Sequence, residues 1–448
     1  MVRRVAQLAL LMALAPAPAP AEPWLVRPVA EGTNLNAAVA VAGNQIVALY
    51  GDELAVFDDP PDSPLVLNRI EGYSWIQHEF ACTGRSPALA LDEAANAYVT
   101  AFAAGSALFG QEVGMWGPMT MLPASPLIPG SGGAVLDVTV GPGGIPSVAG
   151  VGADGAAHIW SFSVPQGQWV SRYQVPGTVN AWSARSLCID SEGQPALLCA
   201  VDNGLPADQP HPLLLVRSVG GQYVATQVAQ AALTARISLA SDGRGGLGFA
   251  FVDGGTLQYG SCRDWTVSTE TLPAAKAAEL RLTPRSLAFD AEGRPALVYG
   301  ACEPEATGSQ LHLLRKTGST WTDEPLPMAA PNGSLSFDSA GQPVVAGWRP
   351  TCLELLGPAL TPPLPGDANL DDRVDYLDLG ALAASYRRTA AAIDWFNGDF
   401  NRDFTVDYLD LGVLAGNYRR TRGQGVPEPA AILLLSAAAL LRRRTSRR

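Results

Sequence analysis

Two stretches near the C-terminus set oxygen-bearing side chains at identical intervals. In GDANLDDRVDYLD they are Asp367, Asn369, Asp371, Asp375 and Asp378; in GDFNRDFTVDYLD they are Asp399, Asn401, Asp403, Asp407 and Asp410. Counted from the first Asp, these fall at positions 1, 3, 5, 9 and 12, and position 7 (Arg373, Thr405) can add a backbone carbonyl. Such a set suits a hard cation, and calcium in particular, which takes about six to eight oxygen ligands. Position 6 normally carries Gly because its backbone is left-handed; here it is Asp372 and Phe404. Asp tolerates that conformation and Phe does so poorly, so the first loop is expected to bind calcium and the second more weakly or in a distorted form, giving one or two ions. A pair of Asp-rich surface turns is the alternative. Without metal the converging carboxylates would repel, so calcium is expected to stabilise the module.

Each loop runs into a repeated segment, YLDLGALAASYRRT from Tyr376 and YLDLGVLAGNYRRT from Tyr408, with apolar residues at helical spacing. The two copies are offset by 32 residues, and eight of the twelve loop positions are identical. Loop plus exit helix, twice, resembles the dockerin type I fold, including Asp at position 12 where most EF-hand loops have Glu. The phrase DWFNGDF, with Trp395, is similar to dockerin-like modules of bacterial surface proteins. The resemblance implies a small all-α, EF-hand-like domain at 362–423 and a cohesin-like or surface-protein partner. It places partner docking at loop positions 10 and 11, here Tyr376, Leu377, Tyr408 and Leu409; the same residues would also suit a core packed between the two halves.

The chain opens with Arg3 and Arg4, an apolar stretch and a small-residue exit at Ala19 and Ala21, the pattern of a secretory signal peptide over 1–21. It closes with Val426, Pro427, Glu428 and Pro429, twelve small or apolar residues, and an arginine cluster. Twelve residues are short for a bilayer. This order resembles the PEP-CTERM sorting tail, which implies an exosortase-type partner acting on 424–448 and membrane contact through a C-terminal hydrophobic helix before processing. A plain membrane anchor is the other reading. Either way the protein is expected to be exported, extracellular or at the cell surface.

The body, 22–361, reads as an all-β, seven-bladed β-propeller. Its clearest copies are SLCIDSEGQPALL from Ser186, SLAFDAEGRPALV from Ser286 and SLSFDSAGQPVVA from Ser334; weaker copies begin at Ala38, Ala88, Leu136 and Ser238. Turn positions fall at 42, 92, 141, 190, 242, 290 and 338, and an aromatic (Trp24, Trp75, Trp116, Trp169, Tyr223, Trp265, Trp321) precedes each. Four antiparallel strands per repeat make a blade. The first copy begins with a fourth-type strand and the last lacks one, so the N-terminal strand is expected to complete the seventh blade. The Asp residues read as turn caps and the aromatics as blade core.

No HExxH, GxSxG or nucleophile-base pattern occurs, and the four histidines are scattered. A net charge of -12 without basic clusters outside the tails argues against nucleic acid. Arg85, Arg185, Arg236 and Arg285 lie five to seven residues before turn positions, where they could ring one channel mouth and attract an anionic ligand such as a uronic or sulfated glycan. Solvated arginines paired with nearby acids are the other account. Of the six cysteines, Cys188 and Cys199 flank one hairpin turn and are the expected disulfide pair. Three functions follow: a glycan- or protein-recognition platform, a polysaccharide-degrading hydrolase or lyase, and a structural envelope protein.

Overall fold

A computed structural model describes residues 24–421 apart from a set of connecting segments, the longest being 53–65 and 122–136; in strands before residue 137 many side chains also lie outside the description. The expectations for 1–21 and for 424–448, with Val426 to Pro429, fall outside the described residues. Among the described residues no helix is long and apolar enough to cross a membrane. The chain divides into a β unit ending at Pro362 and a second unit beginning at Pro363.

The β unit is a propeller-like arrangement of antiparallel sheets. In chain order the sheets span 35–79, 85–121, 137–174, 185–231, 237–271, 279–325 and 332–357. Five of them, from residue 137 onward, are described down to their side chains; the first two are described chiefly by their backbones. The seventh is completed by Leu25–Glu31, which pairs antiparallel with Cys352–Gly357, so the N-terminal strand supplies the fourth strand as the phase of the repeats requires. Trp24 fastens this strand further, its indole Nε1 donating to Glu324 at 2.7 Å.

Repetition of the sequence becomes repetition of two local structures. At the turns, Asp190, Asp242, Asp290 and Asp338 each turn one carboxylate oxygen to two backbone N–H groups, two and four residues on. Four residues before each turn position stand Ala38, Ala88, Asp137, Ser186, Ser238, Ser286 and Ser334. The Ser186 hydroxyl accepts from Leu239 N in the next sheet and the Ser238 hydroxyl from Leu287 N in the one after, both at 2.9 Å. These buried serines satisfy inner-strand N–H groups that water cannot reach. The apolar residues between them pack in clusters joining adjacent sheets, such as the one containing Leu198, Leu215, Leu239 and Phe249.

Cys188 and Cys199 are not a disulfide. Cys188 lies opposite Ala196, and Cys199 opposite Arg185. The two sulfurs therefore belong to opposite faces of one sheet, and they pack into different core clusters. Cys188, Cys199, Cys262, Cys302 and Cys352 are all buried.

The second unit holds two ten-residue helices, α1 (Tyr376–Ser385) and α2 (Tyr408–Asn417), each preceded by an Asp-rich loop. Asp375 and Asp407 cap them, and Asp378 and Asp410 close both capping boxes. The halves interlock. Val374 of the first loop exchanges backbone hydrogen bonds with Arg419 and Arg420 after α2, while Val406 of the second does so with Arg387 and Arg388 after α1. Val374, Val406, Leu382, Leu414, Trp395 and Phe400 share one core.

Candidate functional site

Three places in the described residues gather polar groups: the inner face of the sheets, a cleft between the fourth and fifth sheets, and the Asp-rich loops.

At the inner face, the first strand of the sixth sheet is broken. Glu279–Arg281 and Leu287–Phe289 both pair with Pro295–Cys302, and Thr283 to Arg285 bulge out between them. The bulge binds four other sheets. The Pro284 carbonyl accepts from Ser186 Oγ at 2.9 Å and Ser238 Oγ at 3.0 Å, Thr283 Oγ1 donates to Gly333 O, and Arg285 O accepts from Leu335 N. Arg285 then reaches the third sheet, where Nη2 lies 3.0 Å from Asp137 Oδ1 and also donates to the Val138 carbonyl.

Asp137 occupies the serine position of its repeat. Its carboxylate keeps that serine's task, accepting from Leu187 N of the next sheet at 2.7 Å and from Val138 N at 2.9 Å. Burial pushes its pKa up, and the Arg285 guanidinium pulls it partly back. Of the four arginines that could ring a channel mouth, this one is paired with an acid. Arg285 is engaged inward with Asp137, Arg236 is exposed, and the side chains of Arg85 and Arg185 lie outside the described residues. The replacement of Ser by Asp was visible in the aligned repeats; its partner, 148 residues on, was not.

The cleft has a volume of about 570 Å³ and is lined by Gln227, Gln230, Asp253, Gln258 and Thr269, with Val228, Ala229 and Phe251 as its apolar part. The size suits a small ligand. A β-bulge builds it. In the strand Gln222–Ala231, Gln227 lies opposite Leu214 and Ala229 opposite Leu213, leaving Val228 as the extra residue. Three positions apart on a regular strand, Gln227 and Gln230 would face opposite ways; the bulge turns both outward and Val228 inward. Across the cleft, Gln258 is held between Thr256 Oγ1 and Thr271 Oγ1. Nothing in the sequence marked this bulge, because no Gly or Pro punctuates it.

In the first Asp-rich loop, Asp367 accepts from Asp371 N and Asp372 N, Asn369 Oδ1 from Asp371 N, and Asp371 Oδ1 from Arg373 N. Asp378 accepts from Ala368 N and Asp375 N. The second loop repeats the pattern with Asp399, Asn401, Asp403 and Asp410. Asp372 and Phe404 both take the left-handed backbone at φ 64°, so position 6 has the conformation a calcium loop needs despite lacking Gly. Burial, reinforced by Asp378, pushes the Asp367 carboxyl up to about 7, and burial does the same to Asp399, up to about 6. The donor set and the backbone therefore fit calcium. Among the described residues, however, no group of three or more His, Cys, Asp or Glu side chains is gathered to hold an ion.

The four residues expected to dock a partner are exposed alike: Tyr376 and Tyr408 each by 69%, Leu377 by 50% and Leu409 by 47%. They do not form a core between the two halves.

No family model and no curated protein sequence matches the chain. Among solved structures it is similar to a puromycin-hydrolysing peptidase of Mycobacterium tuberculosis, at 14% identity and a TM-score of 0.50, over 73% of this chain and 53% of that one. It is also similar to the fucose-specific lectin of Aleuria aurantia, at 13% identity and 0.40, over 62% and 96%. A polysaccharide lyase acting on ulvan is similar at 12% and 0.41, over 66% and 79%. The first likeness is one of fold; the other two fall below the level at which a shared fold can be argued.

Proposed function

We propose that this chain is a seven-bladed propeller that recognises a saccharide in the cleft between its fourth and fifth sheets. The cleft carries the reading: side-chain amides at Gln227, Gln230 and Gln258, the Asp253 carboxylate and the Thr269 hydroxyl stand around an apolar floor at Phe251. Amides and carboxylates side by side match sugar hydroxyls, which donate and accept at once. The seven sheets and the closing N-terminal strand support the blade count. The test is equilibrium binding to a panel of neutral oligosaccharides. Replacing Gln230 and Asp253 by Ala together should weaken the best ligand about tenfold or more, since two hydrogen bonds contribute about 1 kcal/mol each. Unchanged affinity would sink the proposal. New chain ends in the same assay would favour the hydrolase or lyase reading instead.

The C-terminal unit is read as a calcium-binding, dockerin-like module. Asp367, Asn369, Asp371, Asp375, Asp378 and the Arg373 carbonyl would hold one ion, and Asp399, Asn401, Asp403, Asp407, Asp410 and the Thr405 carbonyl a second. Bound calcium supplies positive charge where buried carboxylates now oppose one another. The exposed Tyr and Leu pairs support docking to a cohesin-like or surface protein. Export, exosortase-type sorting and a surface location rest on the two ends of the sequence.

A further inference from the structure

In the third and sixth sheets the aromatic that marks each repeat is core: Trp169 and Trp321 stand second in their outermost strands and are 6% and 8% exposed. The fifth sheet departs from this. Val267 holds the second place in Thr266–Thr271 and packs on the core, while Trp265 is thrown into the turn before it. Asp264 and Trp265 form that two-residue turn, with Arg263 opposite Thr266, at φ 49° and 64°. Both central residues of such a turn are left-handed, which is why Gly220–Gly221 and Gly254–Gly255 make the equivalent turns elsewhere. A bulky residue there is strained, and strain of this kind gathers at functional sites.

The strained turn displays the indole. Trp265 is 37% exposed, and one side is supported by Arg217 of the fourth sheet, whose guanidinium carbon lies 4.5 Å from the ring centroid. Arg217 makes no ion pair among the described residues, and its Nε is buried without a hydrogen-bond partner. Val224, which pairs with Arg217 across the hairpin, and Val219 are also exposed.

We propose that Trp265 and Arg217 form a second ligand site, taking an acidic saccharide ring whose apolar face lies on the indole face opposite Arg217 and whose carboxylate reaches past the ring edge to the guanidinium. Four residues are far fewer than the 20 to 30 or so per side that a stable protein interface uses, which favours a single sugar ring over a protein partner. The site is separate from the cleft and stands or falls independently of it.

Polygalacturonate is the probe, with neutral oligosaccharides reporting on the cleft in parallel. Wild-type protein is expected to bind polygalacturonate with an affinity that falls as salt rises. Trp265→Gly and Arg217→Gln should each weaken it by about tenfold or more, in line with stacking and charge-assisted contacts, and leave neutral-sugar binding unchanged. Trp265→Gly removes the strained Cβ, so its thermal midpoint should not fall. Absence of acidic-saccharide binding by the wild type overturns the proposal, as does equal binding by the variants. A loss in Trp265→Gly that tracks a lowered midpoint overturns it too, as does pull-down of a protein through this patch without saccharide binding.

Discussion

Replacing Arg285 by Ala leaves the Asp137 carboxylate, 2% exposed, with only its two backbone donors, Val138 N and Leu187 N. Breaking a buried pair by removing one partner costs about 3–5 kcal/mol. Arg285 is 24% exposed at its side chain, so the lower end, about 3 kcal/mol at pH 7, is expected. The sign of the pH dependence follows from the raised pKa of Asp137. Between the ordinary Asp value near 3.9 and the raised folded value, the folded state binds more protons than the unfolded one, so stability falls as pH rises through that window. Loss of Arg285 removes the influence that holds the value down and extends the window upward. The deficit should therefore be largest near pH 7 and smaller near pH 4, because lowering the pH protonates the carboxyl and weakens the charge pair whose loss is being measured. Urea denaturation at both pH values, followed by tryptophan fluorescence, measures it. A deficit under about 1 kcal/mol at pH 7, or one equal at both pH values, would refute the reasoning. The double variant Asp137→Ser with Arg285→Met restores the serine of the other repeats and should recover most of the loss.

Chelation of calcium should lower the stability of the C-terminal unit alone, by about 2.7 kcal/mol if the ion had been present at a hundredfold its Kd, read as a shift of one of two calorimetric transitions. Phe404→Gly relieves a left-handed Phe at φ 64° and should tighten calcium binding at the second loop; weaker binding by titration calorimetry would contradict it. Gly300→Ala would drive a Cβ into the Pro331 carbonyl, a backbone atom that cannot step aside, so a stability loss of about 2 kcal/mol or more is expected in urea denaturation.

The parts of the fold that were legible in the sequence are those governed by local chemistry. Asp followed by Gly made the turns, and their spacing located the repeats. The two loop-and-helix units followed from a 32-residue offset kept through loop and helix. What escaped depended on register or on distance. Cys188 and Cys199 flank one turn, yet alternation puts them on opposite faces. Trp265 looks like its counterparts until one sees that Val267 has taken the core position. The Gln227 and Gln230 amides share a face only because Val228 is a bulge, and Arg285 meets Asp137 only because the closed arrangement brings inner strands from distant repeats together.

The pairing of the first strand with the last also determines how this protein bears mechanical load. Leu25 lies opposite Gly357 and Glu31 opposite Cys352, so the strand begins beside the point where the chain leaves the sheet. Tension between those two ends would peel the pair apart from that corner, one hydrogen bond after another, which is the weak direction for a hairpin-like seam. Tension applied at Gly357 against another sheet is shared between two pairings, because Cys352–Gly357 is flanked by the N-terminal strand on one side and by Pro343–Trp348 on the other. A tether on the C-terminal side would therefore divide a pull between two strand pairings, whereas a tether on the N-terminal side would place all of it on the seam.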